Sequence, residues 1–195
     1  FVSRTLDDCA ARTERARGSS RAAVIGGGLL GLEAARGLMA HGLEVDVVEA
    51  APHLMAQQLD PEGAAILEGT IRAMGIGVRA GAFTSEIVHR DGRLAGLRFA
   101  DGTEIACDMV VVAAGIRPNA EIAADAGLAV DRAIVVDDRM RTADPDVWAV
   151  GEAAQHRGVV YGLVAPLWEQ AHVLADNITG VDEESTYEGS KPATK

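Results

Sequence analysis

The sequence predicts an α/β fold: a parallel sheet covered by helices, an inserted three-stranded antiparallel meander, and part of a second α/β domain behind it. Three observations carry this. The apolar runs at residues 22–25 and 109–113 are continuous rather than alternating, as in strands buried on both faces, and residues 45–48 form a second apolar strand broken only by Asp46. Helical spacing of apolar residues fills the intervals that follow 22–25 and 45–48. Two Asp-Gly pairs, Asp91-Gly92 and Asp101-Gly102, break residues 84–106 into three short extended runs, the signature of hairpins.

The elements follow in order. Thr5-Leu-Asp-Asp8 reads as a capping box opening a helix to about Arg17, and Gly18-Ser19-Ser20 as a connector. Val24 and Ile25 end the first strand. Gly26, Gly28 and Gly31 then fall at the spacing G-x-G-x-x-G, and Leu32, Ala35 and Met39 continue as a helix that should stop at His41-Gly42. This is the Rossmann-like βαβ turn. Gly26 permits the tight turn, Gly28 lets a phosphate approach the backbone, and Gly31 lets the helix pack on the sheet. Glu49 ends the next strand 18 residues after Gly31, near the ~20-residue offset of a ribose-binding carboxylate.

Asp60-Pro61 is an N-cap and first-turn proline, and the helix it opens carries Ile66, Leu67, Ile71 and Met74 to Gly75. A third strand is expected at 76–80, and after the meander a strand at 109–113 buried on both faces. The turn-rich exit Ala113-Ala-Gly-Ile-Arg-Pro-Asn119 closes this part. Beyond it come a short helix at 121–126, strands at 134–136 and 147–150, the polar loop Thr142-Ala-Asp-Pro-Asp146, and a helix at 166–178 opened by Pro166. The tail from Val181 is acidic and polar and is expected to be loosely held. The domain reading is thus 1–20 for the N-terminal helix and connector, 21–117 for a nucleotide-binding domain, 118–180 for part of a second domain, and 181–195 for the tail.

Composition narrows the function. Net charge is −11, which argues against nucleic acid as a partner, since phosphate backbones need clustered Lys and Arg. No apolar run approaches the ~20 residues of a membrane span, and nothing reads as a secretory signal, so a cytoplasmic location is expected. Cys9 and Cys107 are far apart and without C-x-x-C spacing, and the histidines are scattered, so no metal site is expected. A chain that starts at Phe1 reads as a piece of a larger protein.

The glycine turn, the meander, Val111-Val-Ala-Ala-Gly-Ile-Arg-Pro-Asn119 and Thr142-x5-Trp-Ala-Val-Gly-Glu152 occur in one order. This resembles the flavin-dependent pyridine nucleotide oxidoreductases, in which an NAD-binding domain is inserted into an FAD-binding domain. The resemblance makes 118–180 the C-terminal part of an FAD-type domain. Tyr161-Gly-Leu-Val-Ala-Pro-Leu-Trp-Glu-Gln170 and the closing Tyr187-Glu-Gly-Ser-Lys-Pro-Ala-Thr-Lys195 are similar to the large subunits of NAD(P)H-dependent nitrite reductases and to the electron-transfer subunits of assimilatory nitrate reductases. Ferredoxin and rubredoxin reductases are the next most similar group. A non-catalytic NADH-binding module is the alternative from another class, and the segment 142–152 argues against it.

The resemblance implies the following roles. Gly26, Gly28, Leu29 and Gly31 would line the pyrophosphate of NAD(P)H, with NADH preferred. Glu33, on the first helix turn, would sit near the nicotinamide, and Glu49 would hold the adenosine ribose. Ala114 and Gly115 would close over the nucleotide. Gly151 and Glu152 would face the ribityl and pyrophosphate of FAD, and the helix at Pro166 would aim its amides at the flavin pyrimidine. Leu29 stands where several relatives carry a Tyr gate, and Glu152 where they often carry Asp. Hydride would pass from the nicotinamide to FAD and electrons onward to metal-centre domains or a redox partner outside this segment. No catalytic acid, base or nucleophile is implied. The flavin domain's own glycine loop is expected before Phe1, so the isolated chain is expected to bind NADH but not to hold FAD or turn over.

Overall fold

The computed structural model describes residues 1–2 and 5–190, and the chain divides into two compact units, Phe1–Gly115 and Ile116–Lys195. In the first, α1 (Leu6–Ala16) opens on the expected capping box: Thr5 Oγ1 accepts the Asp8 N–H at 3.1 Å, and the Asp8 carboxylate accepts the Thr5 N–H at 2.9 Å. Then come β1 (Arg21–Ile25), α2 (Leu29–Ala40), β2 (Glu44–Val48), α3 (Pro61–Ala73) and β3 (Gly77–Arg79). His41 and Gly42 stop α2, and Asp60 caps α3 through the Gly63 N–H at 2.7 Å, with Pro61 in its first turn. The meander is β4 (Thr84–Arg90), β5 (Arg93–Phe99) and β6 (Glu104–Ala106), and β7 (Met109–Val112) returns to the main sheet. That sheet is all parallel in the order β3-β2-β1-β7, and the meander is a separate antiparallel sheet in the order β4-β5-β6. The expected α/β architecture is therefore present.

Alternation along β1 explains its continuous apolar run. Ala22 and Val24 pack with Leu38, Val45, Val47, Met109 and Val111 on the helix-bearing face. Ala23 points the other way, to Val48 and Val110, where Leu97, Phe99 and Ile105 of the meander cover it. Each Val, Leu, Ile, Met or Phe side chain among these, fully buried, contributes on the order of 1.5–3 kcal/mol. Cys107 lies in the same layer, and burial pushes its thiol up to about 11, which leaves it an inert filler. Asp91 and Gly92 both have positive φ, 52° and 73°, as a type I′ hairpin turn requires. One expectation needs correcting. Val112 is 38% exposed, because β7 is the outermost named strand of the sheet and its end is not covered on both faces.

At the opposite end of the sheet, the Asp108 carboxylate accepts N–H groups from Ser20 (2.9 Å) and Arg21 (3.0 Å). The Asp108 N–H bonds the Arg21 carbonyl at 3.0 Å, and the Arg15 guanidinium donates to the Asp108 carbonyl at 2.9 Å. Asp108 thus pins the end of α1 and the starts of β1 and β7 together.

The second unit contains α4 (Glu121–Asp125), β8 (Ile134–Val136), β9 (Ala154–His156), β10 (Val159–Val160) and α5 (Val164–Thr179), with a sheet in the order β10-β9-β8. No strand forms at 147–150. That stretch makes a single bridge, Arg141 to Trp148, because the Thr142 loop folds back tightly: the Thr142 hydroxyl and N–H both bond the Val147 carbonyl, at 2.9 and 3.0 Å. β9 (Ala-Gln-His) has no apolar signature. Gln155 and His156 are buried polar residues, held by Gln155 Oε1 to the Arg132 and Ala133 N–H groups (2.9 and 3.1 Å) and by His156 Nε2 to Asp138 (2.8 Å).

The tail also departs from expectation. Tyr187 is 3% exposed and belongs to the core with Val136, Met140, Ala149, Ala154 and Val173. Its N–H bonds the Asp138 carbonyl at 2.7 Å, and Asn177 Nδ2 donates to the Ser185 carbonyl at 2.8 Å. One aromatic anchor among polar neighbours suffices to dock residues 185–190. Residues 191–195 of the expected tail lie outside the described residues.

Asp138 gives this unit a pH dependence. Its carboxylate takes two hydrogen bonds from Arg157 (2.8 and 2.6 Å) and one from His156, and these hold its carboxyl down at about 2. A carboxylate depressed on folding stabilises above its unfolded value near ~4 and loses that contribution as pH falls through its folded value. The urea midpoint of this unit should therefore drop between about pH 4 and pH 2, and Asp138→Asn should flatten that drop. Both tryptophans, Trp148 and Trp168, lie in this unit, so their fluorescence reads it directly. An unchanged acid dependence in Asp138→Asn would remove the role given to the carboxylate.

Candidate nucleotide-binding turn

The end of β1 and the start of α2 concentrate the unusual geometry of the first unit. Gly26 has φ +115°, and a Cβ there would stand 2.4 Å from the Ala113 carbonyl oxygen, so both the turn and its packing on the chain after β7 demand glycine. A Cβ on Gly31 would stand 1.9 Å from the Gly26 carbonyl oxygen, so α2 lies directly against the turn. At Gly28 the same construction meets nothing within 4 Å. Its φ and ψ of −85° and −174° are open to any residue, so neither the turn nor its packing requires glycine there.

α1 and α3 each carry a side-chain cap, whereas α2, with Gly28 at its N-cap, has none. Its first intrahelical bond is Leu32 N–H to the Gly28 carbonyl at 3.0 Å, so the amides before it face outward without a capping side chain. Such a helix end attracts an anion through those amides and the helix dipole. Leu29 and Leu30, at 39% and 56% exposure, flank it. Glu33 is exposed but falls on the second turn of α2, which starts at Leu29, so its expected first-turn position is corrected by one turn.

Glu49 closes the site on the β2 side. Its carboxylate accepts the Gly27 N–H at 2.6 Å and the Ala51 N–H at 2.8 Å, which fixes it beside the glycine turn with lone pairs to spare. Gly27 was not singled out from sequence, because any residue satisfies the variable position of the motif. A Cβ on it would come within 2.5 Å of Leu54 Cδ2 and 3.1 Å of the Glu49 carboxylate, so glycine is needed to seat Glu49. The Met55 N–H bonds the Gly27 carbonyl at 3.0 Å and completes the turn. Ala114 and Gly115 are exposed just past β7, whose neighbour is β1, so they lie beside the same turn. A Cβ on Gly115 would meet open space.

The second unit holds the remaining candidates. Gly151 has φ +85° and opens a 3-10 turn, Gly151–Ala153, with no atom within 4 Å of its Cβ position. Glu152 lies in that turn, and its Oε1 is 3.5 Å from the Cβ position of Gly162. α5 begins at Val164, two residues before its expected start, with Leu163 as an N-cap that offers no side chain. Pro166 is buried in the first turn and has no N–H, so the free amides at this helix end belong to Val164 and Ala165. Gln170, unmarked by any motif, is fully buried and accepts the Gly151 N–H at 3.1 Å. Among the described residues no His, Cys, Asp and Glu side chains converge as metal ligands, and no helix is long and apolar enough to cross a membrane.

The family profile described as pyridine nucleotide-disulphide oxidoreductase matches residues 1–175. The chain belongs to this family. Among its relatives, a nitrite reductase [NAD(P)H] of Bacillus subtilis is 51% identical over 175 residues, 90% of this chain and 22% of the relative. An assimilatory nitrate reductase electron transfer subunit of the same organism is 43% identical over 198 residues, 97% of this chain and 24% of the relative. The chain thus spans about a quarter or less of the length of these pyridine nucleotide-disulphide oxidoreductase relatives. A ferredoxin reductase structure from Rhodopseudomonas palustris superposes with a TM-score of 0.90 at 35% identity, covering 98% of this chain and 48% of that one. NAD(P)H and FAD are the cofactors of this family of oxidoreductases.

Proposed function

We propose that the first unit binds the pyrophosphate of NADH at the uncapped start of α2, as the nucleotide-binding part of an FAD-dependent oxidoreductase. The single observation that carries this is the pairing of an uncapped helix end with open space at Gly28, beside a carboxylate fixed at Glu49. Leu29, Leu30 and Gly31 offer their amides, Gly26 and Gly31 hold the helix against the sheet, and Glu49 receives the ribose hydroxyls of the adenosine. Ala114 and Gly115 leave room for the nucleotide beside β7, and exposed Glu33 borders the nicotinamide side. In the second unit Gly151, Glu152 and the amides of Val164 and Ala165 contact the flavin. A flavin held there would supply the hydride acceptor for a reduced nicotinamide; the residues named would each bind and orient their own cofactor.

Nitrite reduction is the overall activity favoured for the complete protein, on the identity with nitrite reductase relatives. Electron delivery to a small redox protein is the second reading, favoured by the likeness to a ferredoxin reductase. Steady-state assays of the complete protein with nitrite and with a ferredoxin as acceptors separate the two.

Nucleotide preference tests the ribose assignment. Glu49 would meet a 2′-phosphate as a like charge, and Ala50, Ala51, Pro52 and His53 offer no Lys or Arg to offset it. Such apposition costs several kcal/mol, so calorimetric titration should show NADH preferred over NADPH on the order of a hundredfold. Equal affinity would remove Glu49 from the ribose, and failure of both nucleotides to bind would remove the site.

A further inference from the structure

Gln170 sits at the end of the second turn of α5 with none of its surface exposed. Its orientation is fixed by chemistry: the Gly151 N–H can only donate, so the atom it meets at 3.1 Å is the amide oxygen. The amide NH2 then points away from Gly151, is buried, and has no hydrogen-bond partner among the described residues.

We infer that Gln170 is a positioning residue for the Gly151 turn. The inference rests on the proposed flavin contact at Gly151 for its functional meaning, but not for its geometry. Gly151 is open on its Cα side and is held from its N–H side by a buried carboxamide.

Amide hydrogen exchange followed by NMR in the 195-residue chain tests this. Gln170→Met keeps the volume and removes the acceptor, and the Gly151 N–H should exchange at least about tenfold faster. Gln170→Glu retains an acceptor oxygen and should restore protection. The Val135 N–H, bonded to the Ala129 carbonyl at 2.9 Å, reports whether the unit stays folded. Unchanged Gly151 exchange in Gln170→Met would overturn the inference, and so would equal acceleration at Gly151 and Val135. In the complete protein, Gln170→Met should also weaken FAD binding about tenfold, since a flexible turn binds less well than a preorganised one. A released Gly151 amide with undiminished FAD affinity would uphold the positioning role of Gln170 and reject the flavin contact at Gly151.

Discussion

Gly28→Val should raise the NADH dissociation constant at least about a hundredfold, equivalent to ~2.7 kcal/mol, and leave the first unit folded. The two halves of this expectation have separate causes. A Cβ at position 28 meets no protein atom within 4 Å, and its backbone is already in a conformation that valine adopts. The cost to the fold is that of an apolar N-cap, about 1 kcal/mol or less when the position carries no capping side chain to lose. The branched side chain instead fills the space in front of the α2 amides, where a pyrophosphate must come within hydrogen-bonding distance. Calorimetry with NADH and circular dichroism on the same preparation read the two halves. A folded variant that binds NADH normally would place the phosphates elsewhere.

Gly31→Ala should do the reverse and damage the fold first. Its Cβ would stand 1.9 Å from the Gly26 carbonyl oxygen, a backbone atom, and Gly26 is itself anchored by its N–H to the Val48 carbonyl at 2.8 Å. Neither side can rotate away, so α2 must lift off β1, loosening Ala34, Ala35 and Leu38 from the core. Overpacking of this kind costs at least about 3 kcal/mol, a large part of the stability of an ordinary domain. Far-UV dichroism should show early urea unfolding of the first unit. Tryptophan fluorescence, confined to the second unit, should keep its midpoint. A wild-type dichroism transition would show that the turn yields more readily than its contacts imply.

The contrast between these two glycines marks what the sequence made legible. Spacing alone located the turn and its acid, because a strand that must reverse into a helix within three residues has few solutions. Spacing could not say which glycine faces protein and which faces open space, since that depends on where Ala113 and the start of α2 lie. Gly27 was invisible for the same reason: its demand comes from Glu49 and Leu54, more than 20 positions away. In the second unit the periodicity argument fails at β9, where Gln155 and His156 are buried by satisfying backbone and carboxylate partners rather than by being apolar. Pro166 misled because proline favours the first turn generally, and here α5 begins two residues earlier on Val164. Tyr187 was overlooked because hydrophobic patterning weighs neighbours, and a single buried ring among acids leaves the local average polar.

The pin at Asp108 divides the main sheet into a tightly bonded end and a permissive end. Where β1 and β7 start, a single carboxylate and three backbone groups fix strand spacing, so insertions or charge reversal there would shear the sheet. Where the same strands finish, Gly28 and Gly115 leave bare backbone beside open space, while Gly26 and Gly27 are packed against Ala113, Glu49 and Leu54. Redesign should therefore be directional in this unit: the open position Gly28 can be exchanged to alter ligand chemistry, whereas the connector before β1 and the residue before β7 must travel together as one cassette.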